Sequence, residues 1–223
     1  MGFQIDFFLK TLLEVLPYVK YTILIALASF VFSSIIALFM SVILILDISK
    51  SFNRFFKLYT SFFRSTPLMT QLFFFYFGLP QIFPGLTKLS SMIVLIIVMS
   101  LNEAAFMAEI IRGAFLSIPK GQYDAAKSIG MTTRELMQII IIPQVIRVAL
   151  PGLVNCTICL IKGSAIGFTV GVMDIMTAAK VITGRTYRVL EVYAAVLIIY
   201  WLIVIIMTRF QSRLESRLNR GYA

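Results

Sequence analysis

From Tyr21 to Leu46 the sequence runs for 26 residues without a charge, and from Val192 to Thr208 it does so again for 17. A helix needs about 20 apolar residues to cross the hydrocarbon core of a bilayer. Runs of this length therefore fix the solvent in which the chain folds. One such run can be a buried helix of a large soluble core; recurrence along a single chain argues for lipid. Composition agrees: 13% of residues are charged, against about 25% in soluble domains.

Other classes fall away residue by residue. Asp6, Lys10 and Glu14 interrupt the first segment, and the run that follows is too long for a cleavable signal peptide. The net charge of +10 is scattered over helix ends rather than gathered in a patch, so no nucleic-acid partner is expected. Histidine is absent, which removes the usual general base, the commonest metal ligand and any Ser-His nucleophile. Cys156 and Cys159 form a CxxC inside an apolar helical stretch with no second ligand pair, and read as two small helix residues rather than a metal site. No catalytic role and no bound cofactor are expected.

The expected fold class is an all-α integral membrane protein with about five spans, near 18–46, 62–79, 89–108, 148–170 and 192–208. An amphipathic segment, 1–17, precedes them and a tail, 216–223, follows, the domain itself covering 18–215. Lys50, Arg54, Lys57 and Arg64, then Arg112, Lys120, Lys127, Arg134 and Arg147, then Arg209, Arg213, Arg217 and Arg220 fall on one side. Only Lys10, Lys20, Lys88, Lys180, Arg185 and Arg188 fall on the other. The positive-inside bias predicts a cytoplasmic C-terminus and an N-terminus outside.

One cytoplasmic stretch, "KGQYDAAKSIG" (120–130), is small and polar between apolar flanks. Pro119 and Gly121 predict a turn, Gln122–Ile129 a two-turn helix with Asp124 and Lys127 paired, and Gly130 its stop. Thr132 or Thr133 is positioned to cap the next helix, with Glu135 in its first turn. Tyr123, Ala126 and Gly130 share one narrow face of the short helix, suited to docking in another protein's groove or to packing on its own chain.

These residues carry a resemblance. "GQYDAAKSIG" followed by "IIIIPQ" resembles the EAA loop of ABC importer permeases: Asp124, Ala125, Ala126, Gly130 and Pro143 fill its places, with Asp for the commoner Glu. "RSTPLMTQLFFFYFGLP" (64–80), "AEIIRGAFLSIPKGQ" (108–122) and "EVY" (191–193) resemble the polar amino acid branch, with Ser65 where glycine is usual. The resemblance covers roughly 18–215 and implies the type-1 ABC permease fold. It implies a coupling helix built from Gly121, Tyr123, Asp124, Ala125, Ala126, Lys127 and Gly130, seated in a cytoplasmic ATPase that holds the ATP and Mg. A second permease subunit and an extracytoplasmic solute-binding protein would complete the importer in the cell membrane. The chain has no GxxxxGK[ST] loop with which to be the ATPase itself.

Ionisable groups at membrane depth are costly and tend to face a cavity or a partner. Glu103, Asn155 and Lys162 are candidates for a substrate path, Glu103 hinting at a cationic solute. Arg64, Thr66, Pro67, Glu109 and Arg112 are candidates for gating or structure, the last two as an i,i+3 pair. After Lys162 the family's usual Asp-Thr-Ser is replaced by "KGSAIG", leaving Gly163, Gly167 and Gly171 four apart. That spacing predicts a close helix crossing, with a second permease subunit as one partner and an irregular membrane exit as the other reading. A self-contained channel or secondary transporter is the alternative function.

Overall fold

The computed structural model describes residues 2–47 and 49–219; Arg220 of the basic tail lies outside the described residues, as do 221–223. The described residues are helical with short connections and no strand. Among the described residues eight helices follow one another, with a 3-10 segment, Pro84–Lys88, between the third and fourth: α1 (Ile5–Ile45), α2 (Lys50–Ser65), α3 (Leu68–Ile82), α4 (Ser91–Leu116), α5 (Lys120–Ser128), α6 (Thr133–Val170), α7 (Ile175–Thr186) and α8 (Val189–Asn219). Four of them, α1, α4, α6 and α8, are long and apolar enough to cross a membrane.

Three sequence expectations change here. The amphipathic segment 1–17 is not separate: Pro17 sits in a single 3-10 turn, Leu16–Tyr18, through which α1 runs on. The span expected at 62–79 is two helices in tandem, because Pro67 lacks an amide proton and drives Thr66 into extended backbone. The stretch between the last two spans, read as a connection, contains α7, whose Ile175, Ala179 and Ile182 pack with Val15 of α1 and Val192, Val196 and Ile199 of α8.

Small residues set the central contact. Ser29, Ser33, Ala37 and Ser41 recur every fourth position of α1 and are all buried against α4. In lipid, where van der Waals packing drives association, such residues let backbones approach. Two of their hydroxyls reach α4: Ser41 donates to the Ala108 carbonyl at 3.3 Å and Ser33 to the Met107 sulfur at 3.3 Å, while that of Ser29 is buried with no hydrogen-bond partner among the described residues. Gly152 brings α6 equally close to α4, since a Cβ there would lie 2.9 Å from Ile110 Cγ2. Leu24, Leu27, Val31, Ile35 and Leu38 on the other side of α1 stay exposed, as a lipid face requires.

Two helices carry π turns, Phe74–Gly78 in α3 and Leu136–Ile141 in α6. At the end of the bundle opposite α5, the Glu191 carboxylate accepts from the Gln4 backbone amide at 3.1 Å and pairs with Arg188 at 3.0 Å, while Arg185 pairs with Glu14.

Candidate functional site

The break between α2 and α3 is a built feature. Where a helix stops in lipid, its freed carbonyls must find donors inside the protein. Gln71 supplies them: its Nε2 donates to the Phe63 carbonyl at 3.1 Å, to the Thr66 carbonyl at 3.2 Å and to Thr66 Oγ1 at 2.7 Å. Asn102 Nδ2 reaches across from α4 to the Phe63 carbonyl at 2.9 Å and to Gln71 Oε1 at 3.0 Å. Both amides are almost wholly buried. Tyr59 adds a hydroxyl bond to the Leu101 carbonyl at 2.6 Å. Since α4 runs from Ser91 to Leu116, partners at 101 and 102 place the break near half depth. Thr66 and Pro67 are thus structural; Gln71 was missed because a lone glutamine in an apolar run carries no periodic signal.

Arg64 ends α2 at this level, with its guanidinium 5.6 Å from the Phe106 ring of α4. Arg54, Lys57, Ser61 and Arg64, spaced three, four and three apart, lie on one exposed face of α2. On α6, Asn155, Cys159 and Lys162 form another exposed face. The structure thus joins Asn155 and Lys162 on one surface. Glu103 is not on it: only 8% exposed, it lies behind α6 with its carboxyl against the Cys156 thiol. The two cysteines of the CxxC therefore diverge, Cys156 inward and Cys159 outward.

The glycine series meets a different fate from a dimer face. Beyond Gly163 the helix tightens to 3-10 geometry over Ser164–Val170, so 163, 167 and 171 do not share one α-helical stripe. Gly167 packs within the chain, where a Cβ would lie 2.6 Å from Leu95 Cδ2. Gly171 has open space and is needed for its φ of +76°, which ends the helix. Gly163 faces Leu68 and Met99 at ordinary contact distance. Ser164, beside Gly163, is fully buried.

At the loop end, α5 forms over Lys120–Ser128, where Gln122–Ile129 was expected, so Gly121 lies within its first turn. Gly130 adopts φ +80°, and Thr132 and Glu135 make a complete capping box for α6. Of the two readings of α5's small face, packing on its own chain is the one the structure shows. Ala126 is 2% exposed and packs with Ala114, Ile118, Leu136, Ile141, Val145 and Ala149, with Tyr123 against the same cluster. The small face with its aromatic ring is therefore spent on the chain's own core. Gly121, Asp124, Ala125, Lys127 and Gly130 remain exposed, joined by Ile129 at 78%. Asp124 and Lys127 make no ion pair; both are solvated, where such a pair is worth little. Instead α5 is tied to α6 by a reciprocal amide pair, Gln122 Nε2 to Gln144 Oε1 at 3.1 Å and Gln144 Nε2 to Gln122 Oε1 at 2.5 Å. Glu109 and Arg112 form their pair at 2.6 Å and border a cavity of about 510 Å³ with Lys57 and Tyr123.

The family model described as "Binding-protein-dependent transport system inner membrane component" matches residues 29–220. The chain belongs to this family. It is a permease component of an ABC importer rather than its ATPase, and a multi-pass membrane protein. The probable amino-acid ABC transporter permease protein PatM of Vibrio harveyi is 40% identical over 222 residues, covering 100% of this permease and 99% of that protein. The probable amino-acid permease protein YxeN of Bacillus subtilis (strain 168) is 38% identical, covering 95% and 93%. Among solved structures, one described as an amino acid ABC transporter with histidines superposes with a TM-score of 0.87 at 28% identity, covering 97% of this permease and 100% of that chain. The permease fold expected from the EAA-like loop is therefore present, and the self-contained channel is set aside.

Proposed function

We propose that this permease carries polar amino acids into the cell, as one of two permease subunits around a shared pore in the cell membrane. A cytoplasmic ATPase holding ATP and Mg drives it through α5, and a solute-binding protein delivers solute to the opposite end. The observation that carries this reading is the exposed face of α5. Gly121, Asp124, Ala125 and Lys127 surround Ile129, a large apolar side chain left 78% exposed beside a sharp turn at Gly130. An isolated apolar anchor among small and polar residues is what a docking helix presents to a pocket. The second permease subunit is supported by α6: a lysine and an asparagine on an outward face are costly against lipid and are satisfied by a water-filled pore closed by another chain.

The test is reconstitution with the ATPase and binding protein. Ile129→Asp should insert normally, lose most co-purifying ATPase and lose ATP-driven uptake. Uptake that persisted with the ATPase left out, or was untouched by Ile129→Asp, would overturn the reading.

A further inference from the structure

Two apolar cavities flank Ile97 and together make one groove. The first, about 360 Å³, lies between Phe75, Tyr76 and Leu79 of α3 and Val94 and Ile97 of α4. The second, about 390 Å³, lies between Phe32 and Ile36 of α1 and Ile93, Ile97 and Leu101 of α4. Thr87 and Ser100 also border it, but their hydroxyls donate inside the chain, to the Pro84 carbonyl at 2.7 Å and the Ile96 carbonyl at 2.6 Å. Neither proton is left for a polar guest. Phe32, Ile93 and Ile97 are exposed, so the groove is open to whatever surrounds the chain.

Depth and side decide the occupant. Helix α4 starts at Ser91, at the end of the bundle opposite α5, and rises about 15 Å by Leu101. Half of a ~30 Å hydrocarbon core is about the same length, so the groove is as deep as one leaflet and stops level with the α2–α3 break. Leu95 and Met99 of α4 meet Gly167 and Gly163 of α6. Ile93, Ile97 and Leu101 follow one another at four-residue steps on the other side, about 200° round from Leu95. The groove therefore faces away from α6, where the second permease subunit is placed. At its mouth Lys88 stands between Thr87 and Leu89, which both line the first cavity. Lys88 is exposed and has no ion-pair partner among the described residues. We propose that the groove binds the acyl chains of a phospholipid with an anionic headgroup, from the leaflet on the side away from α5, and that Lys88 holds its phosphate. The apolar stem of a lysine lets its ammonium reach headgroup level while staying in water. The site stands on the membrane-spanning fold; only the exclusion of a second copy rests on the permease reading.

The test places a tryptophan in the groove. The assembled importer, with Trp201→Phe removing this chain's one tryptophan, is reconstituted in mixtures of phosphatidylglycerol and phosphatidylcholine. One of the two lipids carries brominated chains, which quench an indole on contact. The reporter is Phe32→Trp in the groove wall or Leu27→Trp on the open lipid face of α1, and the signal of the complex without a reporter is subtracted. At Phe32→Trp phosphatidylglycerol should be preferred about five-fold, the worth of one lysine beside an anionic lipid. Leu27→Trp should show no preference. The preference at the groove should vanish in Lys88→Gln, survive in Lys88→Arg, and weaken in Ile97→Phe, which fills the groove. No quenching at Phe32→Trp by either lipid would show protein, a second subunit, over the groove and overturn the site. Equal preference at the two reporters, or a preference unmoved by Lys88→Gln, would overturn it as well. Failure of the permease reading is separate: it would appear as uptake independent of the ATPase, whatever the lipid preference.

Discussion

Asp174 caps α7 by accepting from the Thr177 amide at 2.8 Å, is fully buried, and has its second carboxylate oxygen unpartnered. Burial pushes its carboxyl up from the ordinary 3.8 to about 6. Because the folded value lies above the unfolded one, the unfolded chain gives up the proton first, and stability falls as pH rises between those two values. Above pH 6 the charged form costs the fold on the order of 3 kcal/mol. Asparagine keeps the cap without the charge. Asp174→Asn should therefore unfold at higher temperature than the parent at pH 8, and the gap should close near pH 4, as read by thermal melts in detergent. Gly167→Val should lower stability by about 1–3 kcal/mol through overpacking against Leu95, detected in the same melts. At this scale the sequence was most legible where chemistry is local. Gly130, Thr132 and Glu135 announce a helix stop and a capping box in any context. It was least legible for Ala126 and Tyr123, because periodicity says which residues share a face and not what the face meets.

Between residues and whole molecule stand the helices and the links between them. The α2–α3 break depends on Gln71 and Asn102, so Asn102→Leu, similar in size, should cost about 1–3 kcal/mol by stranding a buried acceptor. Heat lability without loss of membrane insertion is the expected result. The Gln122–Gln144 pair is the polar tie between α5 and α6. Gln122→Leu and Gln144→Leu should each damage transport per ATP hydrolysed. The double variant should be less damaged than the two effects combined, because a lone half-buried amide is worse than none. Additive losses in that double-mutant cycle would show the amides acting apart. Apolar runs revealed α1, α4, α6 and α8 with ends a few turns short. They concealed α7, which is half polar, and merged α2 with α3, since Phe62–Leu79 reads as continuous hydrophobicity across a backbone that Pro67 interrupts.

For the molecule entire, the central seam illustrates the limit of pattern reading. Attention to glycines at 163, 167 and 171 located a real irregularity, while the working small-residue seam is Ser29, Ser33, Ala37 and Ser41, hidden inside the strongest apolar run. Composition fixes the solvent and the motifs fix the family, yet the break between α2 and α3 and the packing of α5 on its own chain emerge only in the fold. One consequence belongs to the π turn at Leu136–Ile141. A π turn holds one spare residue relative to an α-turn. Deleting a single amino acid between 136 and 141 should let ordinary helix heal across the gap while swivelling everything upstream by about 100°. On the docking role proposed for α5, relatives one residue shorter at this place would then present a different side of that knuckle to the motor, a ready route by which paired subunits diverge in which engine they accept.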